Sequence, residues 1–151
     1  SMHMTDVIQS AGNKITIQSH LFDHLSWKNN IYRLFAQHDV SQNDIENLPP
    51  LEGTRLAKWL SDPKTVGALE EIGRYEPIKK MREACYYSAM DALTYVIQDH
   101  PEGARKHLET LEQSSQQMFD SLFETVEHLI QNEKASSRDN NNDDDTSVEL
   151  F

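Results

Sequence analysis

Apolar positions recur with helical spacing in four stretches of the chain. The first holds Leu21, His24, Leu25, Ile31, Leu34 and Phe35 on one side, and predicts a helix from about Ile15 to Gln37 with a histidine set into its apolar face. From His38 to Gly53 the pattern breaks: Ser41 can cap a short turn through Ile45, and Pro49-Pro50 forbids a regular helix. Thr54 to Leu60 gives a short amphipathic piece with Leu56, Trp59 and Leu60 on one side. Asp62-Pro63 then restarts a helix to Ile72, with a capping carboxylate followed by a proline at the first helical position.

Gly73 punctuates, and a long helix follows from about Tyr75 to Gln98. Its inner stripe is Ile78, Met81, Cys85, Ala89, Ala92 or Leu93, and Val96. Asp99, His100 and Pro101 end it and open the last helix, expected to reach Asn132. There Ala104, Leu108, Leu111, Ser115, Met118, Leu122, Val126 and Leu129 repeat at alternating fours and threes, close to a heptad seam. Period-two alternation is nearly absent. The pattern predicts an all-α protein: a four-helix bundle with a short extra helix.

Composition changes the picture at both ends. Residues 1–13 are weakly patterned and read as a flexible N-terminus; Ser1-Met2-His3 resembles a cloning scar before a natural start at Met4. Residues 14–132 form the bundle. Residues 133–151 read as a disordered acidic tail: Lys134 to Ser147 holds no apolar residue larger than alanine and includes Asp143-Asp144-Asp145. The tail nevertheless ends in an apolar tip, Val148-Glu149-Leu150-Phe151.

Charge and cysteine usage narrow the function. A formal net charge of -11 over 151 residues argues against nucleic acid and against anionic membrane surfaces as ligands. No apolar run approaches a transmembrane span, and no signal peptide is visible. The single cysteine, Cys85, excludes an internal disulfide. A cytoplasmic protein is expected.

The candidate chemistry is sparse. His20 and His24 lie i, i+4 on one helical face, a two-ligand metal spacing to which Cys85 could add a third donor. The plainer reading makes His24 a core histidine with a hydrogen-bond partner. The run Glu124 to His128 finds no matching Glu-x-x-His for a di-iron site. Cys85 beside His24 lacks any visible oxyanion hole, and no glycine-rich phosphate loop is present. No enzyme is expected.

His24-Leu25-Ser26-Trp27, followed about 30 residues later by Thr54-Arg55-Leu56-Ala57-Lys58-Trp59, resembles the chemoreceptor zinc-binding (CZB) domain of bacterial chemotaxis receptors and diguanylate cyclases. The family pattern is His-x-x-Trp, then Cys-x-(Leu/Phe)-Gly-(Lys/Arg)-Trp, then a His-x-x-x-His pair, on an often dimeric four-helix bundle. The resemblance spans roughly residues 15 to 130. It implies a zinc site, but Thr54 stands at the cysteine position, and Met81 and Cys85, or Arg82 and Tyr86, stand at the histidine pair. The expectation is a degenerate pocket of His24, Trp27, Thr54, Trp59, Met81, Arg82, Cys85 and Tyr86, without a cofactor.

The function expected on these grounds is a non-catalytic signalling or adaptor module, in chemotaxis or cyclic-di-GMP control. It would recruit a protein partner through Val148, Glu149, Leu150 and Phe151, with the last helix offering a homodimer face. One alternative is a zinc-responsive sensor using His20, His24 and Cys85. Another is an adaptor in DNA replication or repair, acting through the acidic tail and not on nucleic acid directly.

Overall fold

In a computed structural model, which describes residues 14–37 and 39–141, the chain is all-α. Among the described residues six α-helices follow in order: α1 (Lys14–Phe35), α2 (Gln42–Glu46), α3 (Arg55–Ser61), α4 (Pro63–Glu71), α5 (Tyr75–Ile97) and α6 (Pro101–Asn141). A single 3-10 turn, Leu51–Gly53, precedes α3, and no strand occurs among the described residues.

The helix boundaries have local causes. Ser41 accepts a hydrogen bond from the Asp44 backbone N–H while the Asp44 carboxylate accepts from the Ser41 backbone, a reciprocal cap that starts α2. Asp62 accepts from the Lys64 backbone N–H at 2.9 Å, and Pro63 opens α4 where its missing N–H costs nothing. Gly73 closes α4 at φ 69°, a left-handed turn that a side chain would strain. Asp99 makes the corresponding turn after α5 at φ 57°, and His100 Nδ1 accepts from the Gly103 backbone N–H to begin α6.

One core joins the three long helices to the α3–α4 pair. Ile31 and Leu34 come from α1, Leu56 and Trp59 from α3, Leu69 from α4, Ile78, Ala89 and Leu93 from α5, and Leu111, Met118 and Leu122 from α6. The broadest interface lies between α5 and α6, joined by a short turn. Gly103 allows close approach there: a Cβ at that position would lie 2.6 Å from the Tyr95 ring. As the capping carboxylate and proline of Asp62-Pro63 predict, the chain breaks there into α3 and α4.

Two expectations need correction. Leu25 was placed on the inner face of α1, but it is 48% exposed. The buried stripe is His20, His24, Trp27, Ile31 and Leu34, and Leu25 lies about 100° around from His24. The last helix was expected to stop at Asn132 but continues to Asn141. Helix hydrogen bonds are local, so elongating a formed helix needs no core beneath it. The apolar tip Val148 to Phe151 lies outside the described residues.

Candidate functional site

The first helix carries its chemistry on the buried stripe. His24 is 1% exposed, and its Nε2 lies 2.9 Å from Ser115 Oγ on α6. The same hydroxyl lies 3.6 Å from Cys85 Sγ on α5. Three helices therefore meet at one buried serine. The His24 ring packs beside Trp27 and Phe119, with centroids 5.7 and 5.4 Å away.

One turn further along, Lys28 is nearly buried and its Nζ donates to Glu112 Oε2 at 2.6 Å. Tyr32 donates its hydroxyl proton to the other oxygen of Glu112. At the opposite end of the stripe His20 stacks on Trp59 at 5.7 Å. Asp23 then ties α1 to the start of α3: its carboxylate accepts from the Arg55 backbone N–H at 3.0 Å, Nε at 2.8 Å and a terminal guanidinium nitrogen at 2.7 Å. Both stretches that carry the CZB resemblance thus sit at a single junction of α1 with α3.

The electrostatics follow from burial. Desolvation, with Lys28 adding to it, pushes the His24 imidazole down to about 4, so the ring is neutral at physiological pH. Burial lowers His20 as well, against the pull of Asp23. The Cys85 thiol is raised by burial, which disfavours the reactive thiolate. Burial works against ionisation of Glu112, but hydrogen bonds from Lys28 and Tyr32 outweigh it and hold the carboxylate below its usual range. The Arg55 hydrogen bonds take Asp23 down to about 2.

The expected pocket residues do not all converge. His24 and Cys85 come together on Ser115; Trp27 and Trp59 flank the two histidines. Thr54 instead caps α3, accepting from the Ala57 backbone N–H and donating to the Leu51 carbonyl. Arg82 pairs with Glu52. Met81 is half-buried at the core margin, and Tyr86 opens onto a separate cleft beside Trp27.

These residues do not fit the zinc set that the resemblance implies. The Thr54 hydroxyl is committed to the helix cap, and His24 Nε2 to Ser115. Among the described residues no group of three or more His, Cys, Asp or Glu side chains could hold a metal ion. Several buried polar atoms lack a hydrogen-bond partner among the described residues, namely both ring nitrogens of His20, His24 Nδ1 and Trp59 Nε1. Their rings pack against neighbouring aromatics, which leaves the in-plane nitrogens themselves unsatisfied.

Sequence reasoning missed Ser115, Lys28, Glu112 and the Asp23–Arg55 clamp as parts of the site. Two signals were available. Ser115 interrupts an otherwise apolar seam, and Lys28 follows His24 by four residues on the same face.

A shallow cleft of about 180 Å³ runs along the α1–α6 boundary, lined in part by Leu21, Leu25, Phe119 and Phe123. Phe22, Leu25 and Phe123 stand 65%, 48% and 38% exposed on this shoulder. Comparison with protein-family models, curated proteins and solved structures gives no match. No described helix is long and apolar enough to cross a membrane.

Proposed function

We propose that the chain is a non-catalytic, CZB-like interaction module of bacterial signalling, cytoplasmic and working in chemotaxis or cyclic-di-GMP control. It acts by docking rather than by chemistry. The observation that carries this reading is the apolar shoulder formed by Phe22, Leu25 and Phe123 across the α1–α6 boundary. Large apolar side chains that share one face favour an interface over open solvent.

The occupant of that shoulder is a second copy of the chain. The outer side of α1 carries Arg33 and has no carboxylate from Leu25 to Arg33. The facing side of α6 carries Glu112, Asp120 and Glu124. A two-fold pairing of α1 against α6 matches apolar and charged positions together. The peptide Val148 to Phe151, with two apolar anchors on an acidic tether, is the second docking element and recruits the signalling partner.

Sedimentation equilibrium tests the pairing. The intact chain should form a dimer, and Phe22→Ser with Leu25→Ser should give a folded monomer. A monomeric intact chain, or a dimer indifferent to both substitutions, would refute it. Removing Val148 to Phe151 should leave the dimer unchanged and abolish capture of chemotaxis or cyclase proteins. Unchanged capture would remove the tail from the account.

A further inference from the structure

A second cleft, on the other side of Trp27, has a chemistry that the dimer face does not use. It lies where the 42–52 segment crosses α1 and α5, and its volume is about 470 Å³. That is within the range of sites for small organic molecules, roughly 300–1,000 Å³. Tyr86 and Met90 line one wall, spaced i, i+4 on α5 and continued by Thr94. Trp27 lines another, and Leu48 to Leu51 close the rim. The rim is stiffened by the Ser41–Asp44 cap and by Pro49-Pro50, so little has to be ordered when a ligand enters.

The charged side chains that line the cleft are of one sign, Glu46 and Glu52, with no Lys, Arg or His among the lining residues. Glu52 already pairs with Arg82, which lies outside the lining. Glu46 is exposed and has no ion pair among the described residues. The net charge of the chain adds to the same field. An anion is repelled there, and a neutral molecule can donate a hydrogen bond to Glu46 but gains no charge pairing. A cation gains both the carboxylate and the exposed ring of Tyr86, with the small accessible part of Trp27 beside it.

We propose that this cleft binds a small organic cation, an alkyl- or aryl-ammonium ion whose apolar body lies against Trp27, Tyr86 and Met90 and whose charge is met by Glu46. The proposal is independent of the dimer and of the C-terminal peptide.

The two tryptophans make the test self-controlled, because Trp27 lines the cleft and Trp59 does not. Benzyltrimethylammonium is titrated into the intact, nitrogen-15-labelled chain, and the two indole N–H resonances are followed, assigned with Trp59→Phe. The Trp27 signal should shift saturably while Trp59 stays still. Phenylpropionate at equal concentration should leave Trp27 unmoved. Glu46→Gln, at an exposed position where folding is not at stake, should weaken binding about threefold or more. A Trp27 signal that does not move, that moves equally with phenylpropionate, or that moves only together with Trp59 overturns the proposal. So does an affinity unchanged by Glu46→Gln.

Discussion

The two long interfaces of α6 are built on different principles. Toward α5, α6 meets a mainly apolar surface, with Ala89, Ala92 and Leu93 on one side and Leu111, Met118 and Leu122 on the other. Toward α1, it is held by polar side chains: Ser115 against His24, and Glu112 against Lys28 and Tyr32. The first interface depends mainly on volume, with polar contacts at the Cys85–Ser115 pair and the Tyr95–His107 stack. The second depends on a neutral imidazole and an ionised carboxylate, and it leaves an apolar shoulder uncovered. A helix attached in this way keeps its outer face available, which suits a module that works by docking.

Substitutions in the apolar interface should have the largest effect. Leu111→Ala removes a fully buried side chain from the α5–α6 side and should cost about 2–5 kcal/mol in urea unfolding. The loss should be the same at pH 7.5 and pH 5.5. A strongly pH-dependent loss would erase the distinction between the interfaces.

Ser115→Ala comes next. It removes only the hydroxyl, strips His24 Nε2 of its partner, and should cost about 1–3 kcal/mol. The double variant with His24→Leu should recover part of that loss, since the imidazole nitrogen that lost its partner is then gone as well. If the two losses simply add, the hydrogen bond is not what joins α1 to α6.

The pH profile sharpens the comparison further. The folded-state pKa of His24 is about 4 against an ordinary 6.5, so the unfolded chain takes up the proton first. Stability should therefore fall as pH drops from about 6.5 and level off near 4. His24→Leu should flatten that slope, leaving only the part due to His20, which is lowered in the same direction. Asp23 works in a separate window. Its pKa falls from 3.8 to about 2, so its contribution is complete above 3.8 and disappears as pH approaches 2. At neutral pH, Asp23→Asn should cost no more than about 1 kcal/mol, because Arg55 is largely exposed to solvent.

The smallest effect on stability is expected at the shoulder. Measured at protein concentrations low enough for the monomer to dominate, Phe22→Ser and Leu25→Ser should each change unfolding free energy by less than about 0.5 kcal/mol, while at higher concentration they shift the association state.

Much of the fold was legible because helix periodicity and caps are local. Ser41, Asp62-Pro63, Gly73 and Asp99-His100-Pro101 mark the breaks where the backbone makes them. The site was less legible because its partners are remote in sequence. Ser115 is 91 residues from His24, and nothing in the local pattern of either specifies their meeting. Thr54 shows the opposite failure: motif position placed it in a pocket, whereas its side chain serves the nearest backbone. The extension of α6 to Asn141 was missed because composition reports on burial and not on helix elongation.

The central claim is that His24 is a neutral structural histidine joining α1 to α6, in a module whose function lies on its surfaces. Nitrogen-15 NMR of the His24 imidazole tests this directly. The account predicts a neutral ring that resists protonation down to about pH 4 and shows no shift when one equivalent of zinc is added at pH 7. A midpoint near 6.5, or a zinc-dependent shift of its nitrogens, would contradict it.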